Sequence, residues 1–298
     1  MVDARMKFGL CLPNFGGKVG PGELLELAVA AEVNGFDSVW ATDHIIMPRR
    51  LKSPYDELFE PFVTLASIAA KTSGVKLGTS VLVLPQRDPF LVAKQAATLD
   101  QFSGGRMILG VGAGWAEGEF EYLRADFRKR GKVLDEGIDL LRRLWTDSTI
   151  NYSGKFFRVS SDAAFFPKPV QKIIPIWVGG TSDAAIERAA KVGDGWHPVG
   201  VDPGRLSQGA GRVKKAGTEK TISVRLTVDV RRRREDYVSA DGEKRVTLSG
   251  SREEMSRKLD EYAKAGLEYL VAYIYRDEVR EMVADIAKFS GEIIRSYS

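Results

Sequence analysis

Residues 175–190, PIWVGGTSDAAIERAA, are the most informative stretch of the sequence. The apolar residues 176–178 predict a short strand, Gly179 and Gly180 predict a turn, and a helix is predicted to begin at Thr181 or Ser182. Where a strand runs through glycines into a helix N-terminus, several backbone N–H groups point to one spot that favours an anion. Ser and Thr are also common N-caps, so this stretch alone leaves a plain strand-to-helix connection open.

The same strand–loop–helix pattern recurs along the chain. Eight apolar, β-branched runs predict strands at 7–12, 38–42, 77–84, 107–111, 176–178, 195–199, 222–228 and 269–274. Amphipathic segments predict helices at 23–34, 62–71, 91–102, 131–145, 184–191, 252–265 and 278–295. Strands that alternate with helices pair in parallel, and eight of them close a (β/α)8 barrel. Because no dinucleotide fingerprint follows the first strand, we predict an α/β protein with a TIM barrel and not an open doubly wound sheet.

The length of the chain and two stretches that depart from the repeat define the predicted domain organisation. The chain of 298 residues, 44% of them apolar, is long enough for one barrel or two smaller domains. We predict a single TIM-barrel domain over residues 1–298. Residues 149–175 are predicted to be an insertion with a hairpin that turns at Ser153-Gly154 and a proline-rich segment, and residues 230–246 a polar insertion. The basic run 231–234 is predicted to be a solvated loop.

The composition narrows the class of protein. Cys11 is the only cysteine, which excludes a disulfide scaffold and a cysteine metal cluster and favours a reducing cytoplasm. The first apolar run is too short for a signal or membrane-spanning segment. The net charge of +4 is a small difference between 44 basic and 40 acidic residues, so it does not indicate nucleic acid. We expect a cytoplasmic protein that binds a small-molecule substrate, without nucleic-acid or membrane partners.

The carboxyl ends of barrel strands are where ligands bind, and both histidines fall near predicted strand ends. A carboxylate beside an imidazole, as in Asp43-His44, can provide a base or proton donor near neutral pH. Neighbouring side chains on a strand point to opposite faces, so the two are not expected to bond to each other. We assign proton transfer to His44 and a positioning role to Asp43. A purely structural role stays open for each of His44 and His197.

The fourth predicted strand ends in alternating glycines, LGVGAGW at residues 109–115. Such glycines remove side chains from one face, which favours the approach of a planar cofactor. Four tryptophans at or beside strand ends predict an apolar, ring-shaped pocket at the rim: Trp40, Trp115, Trp177 and Trp196. No metal-binding motif and no Gly-x-Ser-x-Gly motif occurs, so we expect neither a metal nor a serine hydrolase.

Several of these motifs together resemble the bacterial-luciferase-like family of flavin and deazaflavin oxidoreductases, and most closely its coenzyme F420-dependent branch. The most specific motif is residues 99–115, LDQFSGGRMILGVGAGW. Weaker ones are FDSVWATDH at 36–44, LGTSV at 77–81, IWVGGT at 176–181 and DGW at 194–196. The resemblance covers nearly the whole chain and is weaker beyond residue 199.

The resemblance implies a flavin-type ring at the barrel mouth, propped by a non-proline cis peptide at Ser80-Val81. It also implies a phosphate on Gly179, Gly180 and Thr181, and an acid or base at His44. A homodimer is expected from the family alone. The predicted cofactor-binding residues are Thr79, Ser80, Val81, Gly112, Ala113, Gly114, Trp177, Gly179, Gly180, Thr181, Trp196 and His197.

One departure from the family concerns the substrate. In its sugar-phosphate dehydrogenases a catalytic acid stands where this chain has Trp115, which puts sugar-phosphate oxidation in doubt. The leading hypothesis is F420-dependent hydride transfer to or from an unidentified small organic substrate. The alternatives are a two-component monooxygenase that uses FMN and a non-catalytic flavin-binding barrel. F420 has an anionic glutamate tail, so the basic residues Arg49, Arg50, Lys52 and Arg87 favour it slightly, although a solvated loop explains them equally well.

Overall fold

The computed structural model describes residues 5–51, 53–216, 219–231 and 234–297. Its centre is a closed barrel of parallel strands in which each strand bonds to the next and the last strand pairs with the first. The barrel strands are β1 (Lys7–Cys11), β2 (Ser38–Ala41), β3 (Lys76–Thr79) continued by β4 (Leu82–Val83), β5 (Met107–Gly112), β8 (Ile176–Gly179), β9 (Gly195–His197), β10 (Thr221–Asp229) and β14 (Tyr269–Tyr273). The predicted (β/α)8 barrel is confirmed, with all eight strands where the sequence predicts them.

The helices form the outer layer. They are α1 (Pro21–Val33), α2 (Pro61–Ala69), α3 (Pro89–Ser103), α4 (Glu117–Tyr122), α5 (Arg130–Thr146), α6 (Asp183–Val192), α7 (Pro203–Lys214), α8 (Arg252–Lys264) and α9 (Val279–Glu292). Local sequence explains their ends: the Asp88 side chain caps α3 at the Leu91 N–H, and Gly104 ends the helix with φ of 68°. No helix in the described ranges is long and apolar enough to cross a membrane.

Helix α7 is absent from the sequence-based prediction. It contains Gly204, Gly209 and Gly211, which lower helix propensity. Tertiary packing compensates for this loss: a Cβ atom at Gly209 would lie 2.1 Å from the Trp196 ring, so the glycine lets the helix approach β9 closely. The Asp202 side chain caps the helix by accepting a hydrogen bond of 2.9 Å from the Arg205 N–H.

Large aromatic side chains fill the inside of the barrel. The ring of Trp40 lies 5.1 Å from that of Trp177 and 5.0 Å from that of His197. Glycines on the neighbouring strands make room for it, because a Cβ atom at Gly78 would lie 2.1 Å from the Trp40 ring. The closed end of the barrel is therefore a packed core, and ligand space remains at the mouth.

Two segments extend from the barrel. In the first, β6 (Tyr152–Ser153) and β7 (Arg158–Val159) form an antiparallel hairpin, and the connection spans residues 154–157 and not the predicted Ser153-Gly154. In the second, β11 (Tyr237–Val238) pairs with β12 (Lys244–Arg245), followed by the short strand β13 (Thr247–Ser249) beside β10.

The basic run at residues 231–234 is only partly described. Arg231 lies in an exposed loop, as predicted, and its side chain also pairs with the buried carboxylate of Asp285. Residues 232 and 233 lie outside the described ranges.

Candidate active site

A cavity of about 300 Å³ opens at the carboxyl ends of the barrel strands. The Asp-His pair and the diglycine therefore lie at the same end of the barrel. The second inserted segment adds residues 237, 239–241, 243 and 245 to the wall. The predicted site residues that line the cavity are Asp43, His44, Ser80, Val81, Gly112, Ala113, Gly114, Gly179, Gly180 and Thr181.

His44 is held by a carboxylate that the sequence analysis did not identify. Its Nδ1 lies 2.8 Å from Oε2 of Glu119 on α4, and their side chains are only 6% and 1% exposed. Oε1 of Glu119 accepts a hydrogen bond from the Ile45 N–H at 2.6 Å. Burial alone would raise the pKa of Glu119, but the hydrogen bond and charge of His44 and the Ile45 and Gln86 donors hold it below its ordinary value. An ionised Glu119 accepts the Nδ1 proton and leaves Nε2 of His44 for proton transfer.

Aromatic rings fix the plane of His44. Tyr55 stacks on the imidazole at 4.8 Å, and Trp115 meets it edge-on at 5.8 Å. Burial raises the pKa of Tyr55, so this phenol stays neutral at physiological pH.

Asp43 contacts other groups, as predicted from its strand position. Its Oδ2 accepts a hydrogen bond from the Val83 N–H at 2.9 Å, and its Oδ1 lies 2.6 Å from Nη2 of Arg87. These contacts connect the end of β2 to β4. Arg87 is thus occupied by Asp43, and neither Arg49 nor Arg50 lines the cavity. Lys52 lies outside the described residues.

The peptide bond between Ser80 and Val81 is cis, which confirms the expectation from the resemblance. The Val81 side chain fills the space left by glycines on the next strands: a Cβ atom at Gly112 or Gly179 would lie 2.7 or 2.9 Å from its methyl groups. The glycines thus accommodate Val81, and Val81 itself faces the cavity.

The loop from β8 to α6 has the features of an anion site. Ser182 caps α6 by accepting a hydrogen bond from the Ala185 N–H at 3.3 Å. In the described part of the chain, the backbone N–H groups of Gly180 and Thr181 have no hydrogen-bond acceptor. Nε1 of Trp196 donates to the Gly180 carbonyl at 2.9 Å and so fixes the loop from behind. Free N–H groups at a helix N-terminus form an anion-binding position.

Two arginines that the sequence analysis did not select border this loop. Arg130 and Arg188 both line the cavity. Arg188 is paired with Asp135 at 2.5 Å, whereas the hydrogen bonds that Arg130 makes within the described part of the chain go to the backbone carbonyls of Gly114 and Phe127. Arg130 therefore keeps its positive charge available to an anion.

Four predicted cofactor residues do not line the cavity. His197 lies beneath Ser80, with Nε2 2.9 Å from Ser80 Oγ and Nδ1 2.7 Å from Ser223 Oγ. Burial, together with the charge of Arg225, lowers the pKa of His197 to about 3, so it is neutral. Thr79 donates to the Gly110 carbonyl at 2.7 Å. Trp177 and Trp196 are the other two.

The predicted ring of four tryptophans at the rim is wrong. Trp40 and Trp177 pack inside the barrel, and Trp196 packs against α7. Trp115 alone of the four lines the cavity. The glycines of neighbouring strands explain the difference, because they create space inside the barrel that large rings fill.

Comparisons with known proteins support the family and the fold. The family model described as luciferase-like monooxygenase matches residues 6–240. An F420-dependent glucose-6-phosphate dehydrogenase of Segniliparus rotundus is 34% identical over 226 residues, which cover 70% of this chain and 65% of the relative.

Two solved structures share the fold. An F420-dependent tetrahydromethanopterin reductase from Methanopyrus kandleri superposes with a TM-score of 0.80 at 18% identity, covering 99% of this chain and 100% of the other. The oxygenating component of 3,6-diketocamphane monooxygenase of Pseudomonas putida, in complex with FMN, has a TM-score of 0.77 at 16% identity and covers 98% of each chain.

Proposed function

Because the chain belongs to the luciferase-like monooxygenase family, we propose that it is an F420-dependent oxidoreductase. The reaction transfers a hydride between the deazaflavin ring and a small organic substrate, with His44 handling the accompanying proton. The proposal places the protein in the cytoplasm as a homodimer.

One observation carries the proposal: three parts that this chemistry needs converge on one cavity. They are an anion position at Gly180 and Thr181, an apolar support at Val81, and an imidazole oriented by a carboxylate at His44. An enzyme of this kind must orient two reactants and exclude water, and a concave site between barrel loops does both.

The residues fit a phosphorylated ring. Gly180, Thr181 and Ser182 would hold the phosphate through backbone N–H groups, and Arg130 would add a positive charge. Val81 would support one face of the ring. When bound, F420 supplies the carbon that gives or accepts the hydride.

His44 would move the proton at Nε2, since Nδ1 is engaged by Glu119 at 2.8 Å. Glu119 keeps the ring in one tautomer and stabilises the protonated form, as a buried carboxylate does behind a catalytic histidine. Asp43 acts indirectly, by fixing β4 and Arg87 next to the site.

The proposed substrate of this chain is not glucose-6-phosphate, the substrate in the relative's name. The relative from Segniliparus rotundus is named a glucose-6-phosphate dehydrogenase. In this chain the apolar ring of Trp115 meets His44 edge-on at 5.8 Å, at the position where a sugar-phosphate dehydrogenase is expected to have an acid. We therefore propose another small organic substrate.

The second candidate is a monooxygenase that uses reduced FMN and O₂. It is favoured by the similarity to the FMN-containing structure, and FMN also has a ring and a phosphate. A non-catalytic flavin-binding barrel is disfavoured by the His44–Glu119 pair, because binding alone does not need an oriented imidazole.

A parallel titration tests the cofactor. The purified protein is titrated with F420 and, separately, with FMN, in oxidised and reduced forms, and binding is followed by cofactor fluorescence or absorbance. We expect F420 to bind at least about tenfold more tightly, a difference of about 1.4 kcal/mol. Tighter binding of FMN would replace the proposal with the monooxygenase, and failure of both to bind would refute each.

A further inference from the structure

A second cavity, of about 620 Å³, opens at the same end of the barrel. It lies on the side of β1, β10 and β14 and is lined there by Phe15, Thr227, Tyr273 and Tyr275. It shares a wall with the cavity at His44, formed by Tyr55, Val199, Arg225, Tyr237, Ser239 and Ala240. A molecule in the second cavity would therefore lie beside one in the first.

Flat rings make up much of the wall of this second cavity. Phe15 stacks on Tyr273 at 5.4 Å with an angle of 18° between the rings, and Tyr273 stacks on Tyr275 at 6.1 Å with an angle of 7°. Tyr55 meets Phe15 edge-on at 4.9 Å. Parallel rings of this kind favour a planar, conjugated ligand over a bulky saturated one.

The charged residues that line the second cavity, Arg225 and Arg234, are both positive. Nη1 of Arg225 donates to the Ser80 carbonyl at 2.9 Å and to Thr42 Oγ1 at 3.1 Å, and both of these groups are neutral. No carboxylate in the described ranges lies within 4 Å of Arg225, whereas Arg234 lies 3.8 Å from Oδ2 of Asp229. Burial raises the pKa of Tyr55 and Tyr273, so neutral phenols surround the Arg225 charge without balancing it.

We propose that the second cavity binds the substrate, and that the substrate is a planar conjugated carboxylate whose charge is held by Arg225. A partly buried guanidinium is stabilised most by a carboxylate that reaches it with two oxygens. The aromatic wall then covers the conjugated part, and the shared wall directs it toward His44. This inference deepens the proposed function and rests on it only for the reaction, since ligand binding is measured without the cofactor.

Three small molecules test the class of ligand by isothermal titration calorimetry on the full-length protein. They are 2-naphthoate, its neutral counterpart 2-naphthamide, and the saturated anion cyclohexanecarboxylate. We expect 2-naphthoate to bind about tenfold or more tightly than either control, because it alone has both the charge and the flat ring. Equal binding of 2-naphthamide would refute the role of the charge. Equal binding of cyclohexanecarboxylate would refute the role of the aromatic wall.

Variants locate the binding site. Arg225→Gln should remove the preference for 2-naphthoate over 2-naphthamide, and Arg225→Lys should restore part of it. Arg143→Gln is the control, because this exposed arginine pairs with Asp147 and is not among the residues that line either cavity, and it should change 2-naphthoate affinity less than about twofold. Tyr275→Leu, which leaves the Arg225 contacts intact, should weaken 2-naphthoate about fivefold without changing cyclohexanecarboxylate. If Arg225→Gln does not fold, an unchanged affinity in Tyr275→Leu refutes the proposal.

A competition experiment with F420 separates this inference from the cofactor assignment. We expect saturating F420 to leave 2-naphthoate binding in place, since the two would occupy adjacent cavities. Competition between them would assign the second cavity to the cofactor's anionic tail and overturn the inference, while F420 binding itself stands. Binding of 2-naphthoate to a protein that does not bind F420 would refute the proposed function and retain the inference.

Discussion

Nδ1 of His44 and Oε2 of Glu119 lie 2.8 Å apart in a buried position, although the residues are 75 positions apart in the sequence. Glu119 also binds the Ile45 N–H, so one carboxylate fixes both the loop after β2 and the orientation of the imidazole. The structure thus couples α4 to the proposed proton-transfer group.

Replacing Glu119 should slow the reaction more than it weakens cofactor binding. We expect His44→Ala to lower the rate of hydride transfer roughly 100- to 10,000-fold, because proton transfer by a positioned side chain contributes about that much. Glu119→Gln should lower the rate roughly 10- to 100-fold, because it keeps the imidazole and removes only the carboxylate that orients it. The rate is followed by the absorbance of oxidised F420. Glu121→Gln, an exposed change on the same helix, is the control. Full activity in Glu119→Gln or His44→Ala would remove that residue from the mechanism.

The buried His197 should make stability fall in acid. It stays neutral in the folded protein because burial lowers its pKa to about 3, whereas in the unfolded chain it takes up a proton below a pH of about 6.5. The stability that this difference provides is complete above that pH and is lost progressively as pH falls toward 3, by up to about 1.4 kcal/mol per pH unit.

The variant His197→Gln isolates this effect. Glutamine can still bond to Ser80 and Ser223 but does not titrate, so its free energy of unfolding should fall less steeply between about pH 6.5 and pH 4. Urea unfolding at several pH values measures both curves. Parallel curves for the wild type and the variant would show that His197 is not held neutral.

Two glycines of α7 should respond oppositely to alanine. At Gly209 a Cβ atom would lie 2.1 Å from the Trp196 ring, whereas a Cβ at Gly211 would have no described atom within 4 Å beyond its chain neighbours and the backbone of its own helix. We expect Gly209→Ala to destabilise the protein by about 1–3 kcal/mol and Gly211→Ala to stabilise it by about 0.5–1 kcal/mol. Since Trp196 also donates to the Gly180 carbonyl, Gly209→Ala alone should weaken F420 binding. Similar unfolding free energies for the two variants would contradict the packing described.

The phosphate position should depend on Arg130. We expect Arg130→Gln to weaken F420 binding about tenfold and to leave unchanged the binding of the deazaflavin chromophore that lacks the phosphate-containing tail. Arg128→Gln is the matched control, an exposed arginine two residues away. An equal loss of affinity for both ligands would mean that Arg130 shapes the pocket and does not bind the phosphate. Fluorescence titrations give both dissociation constants.

The sequence predicted the barrel well because its signals are local. The apolar runs around Trp40, Ile108 and Leu270 each lie within a few residues, and their alternation with helical segments defines the topology. Helix α7 was missed because Gly209 is favoured by contact with Trp196, which local propensity does not represent.

The site was predicted where residues follow strand ends, and missed where it depends on contacts across the barrel. His44 and Gly180 were predicted at the site because a parallel barrel brings all strand ends to one rim, whereas Val81 was predicted from the resemblance to the family. Glu119 and Arg225 were missed because their significance comes from residues more than 70 positions away. Trp177 was misplaced because the size of an interior space depends on glycines of other strands.

A crystal structure of the protein in complex with F420 would show whether the cavity at His44 holds this cofactor. We predict the deazaflavin ring against Val81 within reach of Nε2 of His44, and the phosphate oxygens at hydrogen-bond distance from the N–H groups of Gly180 and Thr181. A phosphate bound at Arg225 instead, or a ring outside the cavity at His44, would contradict the account.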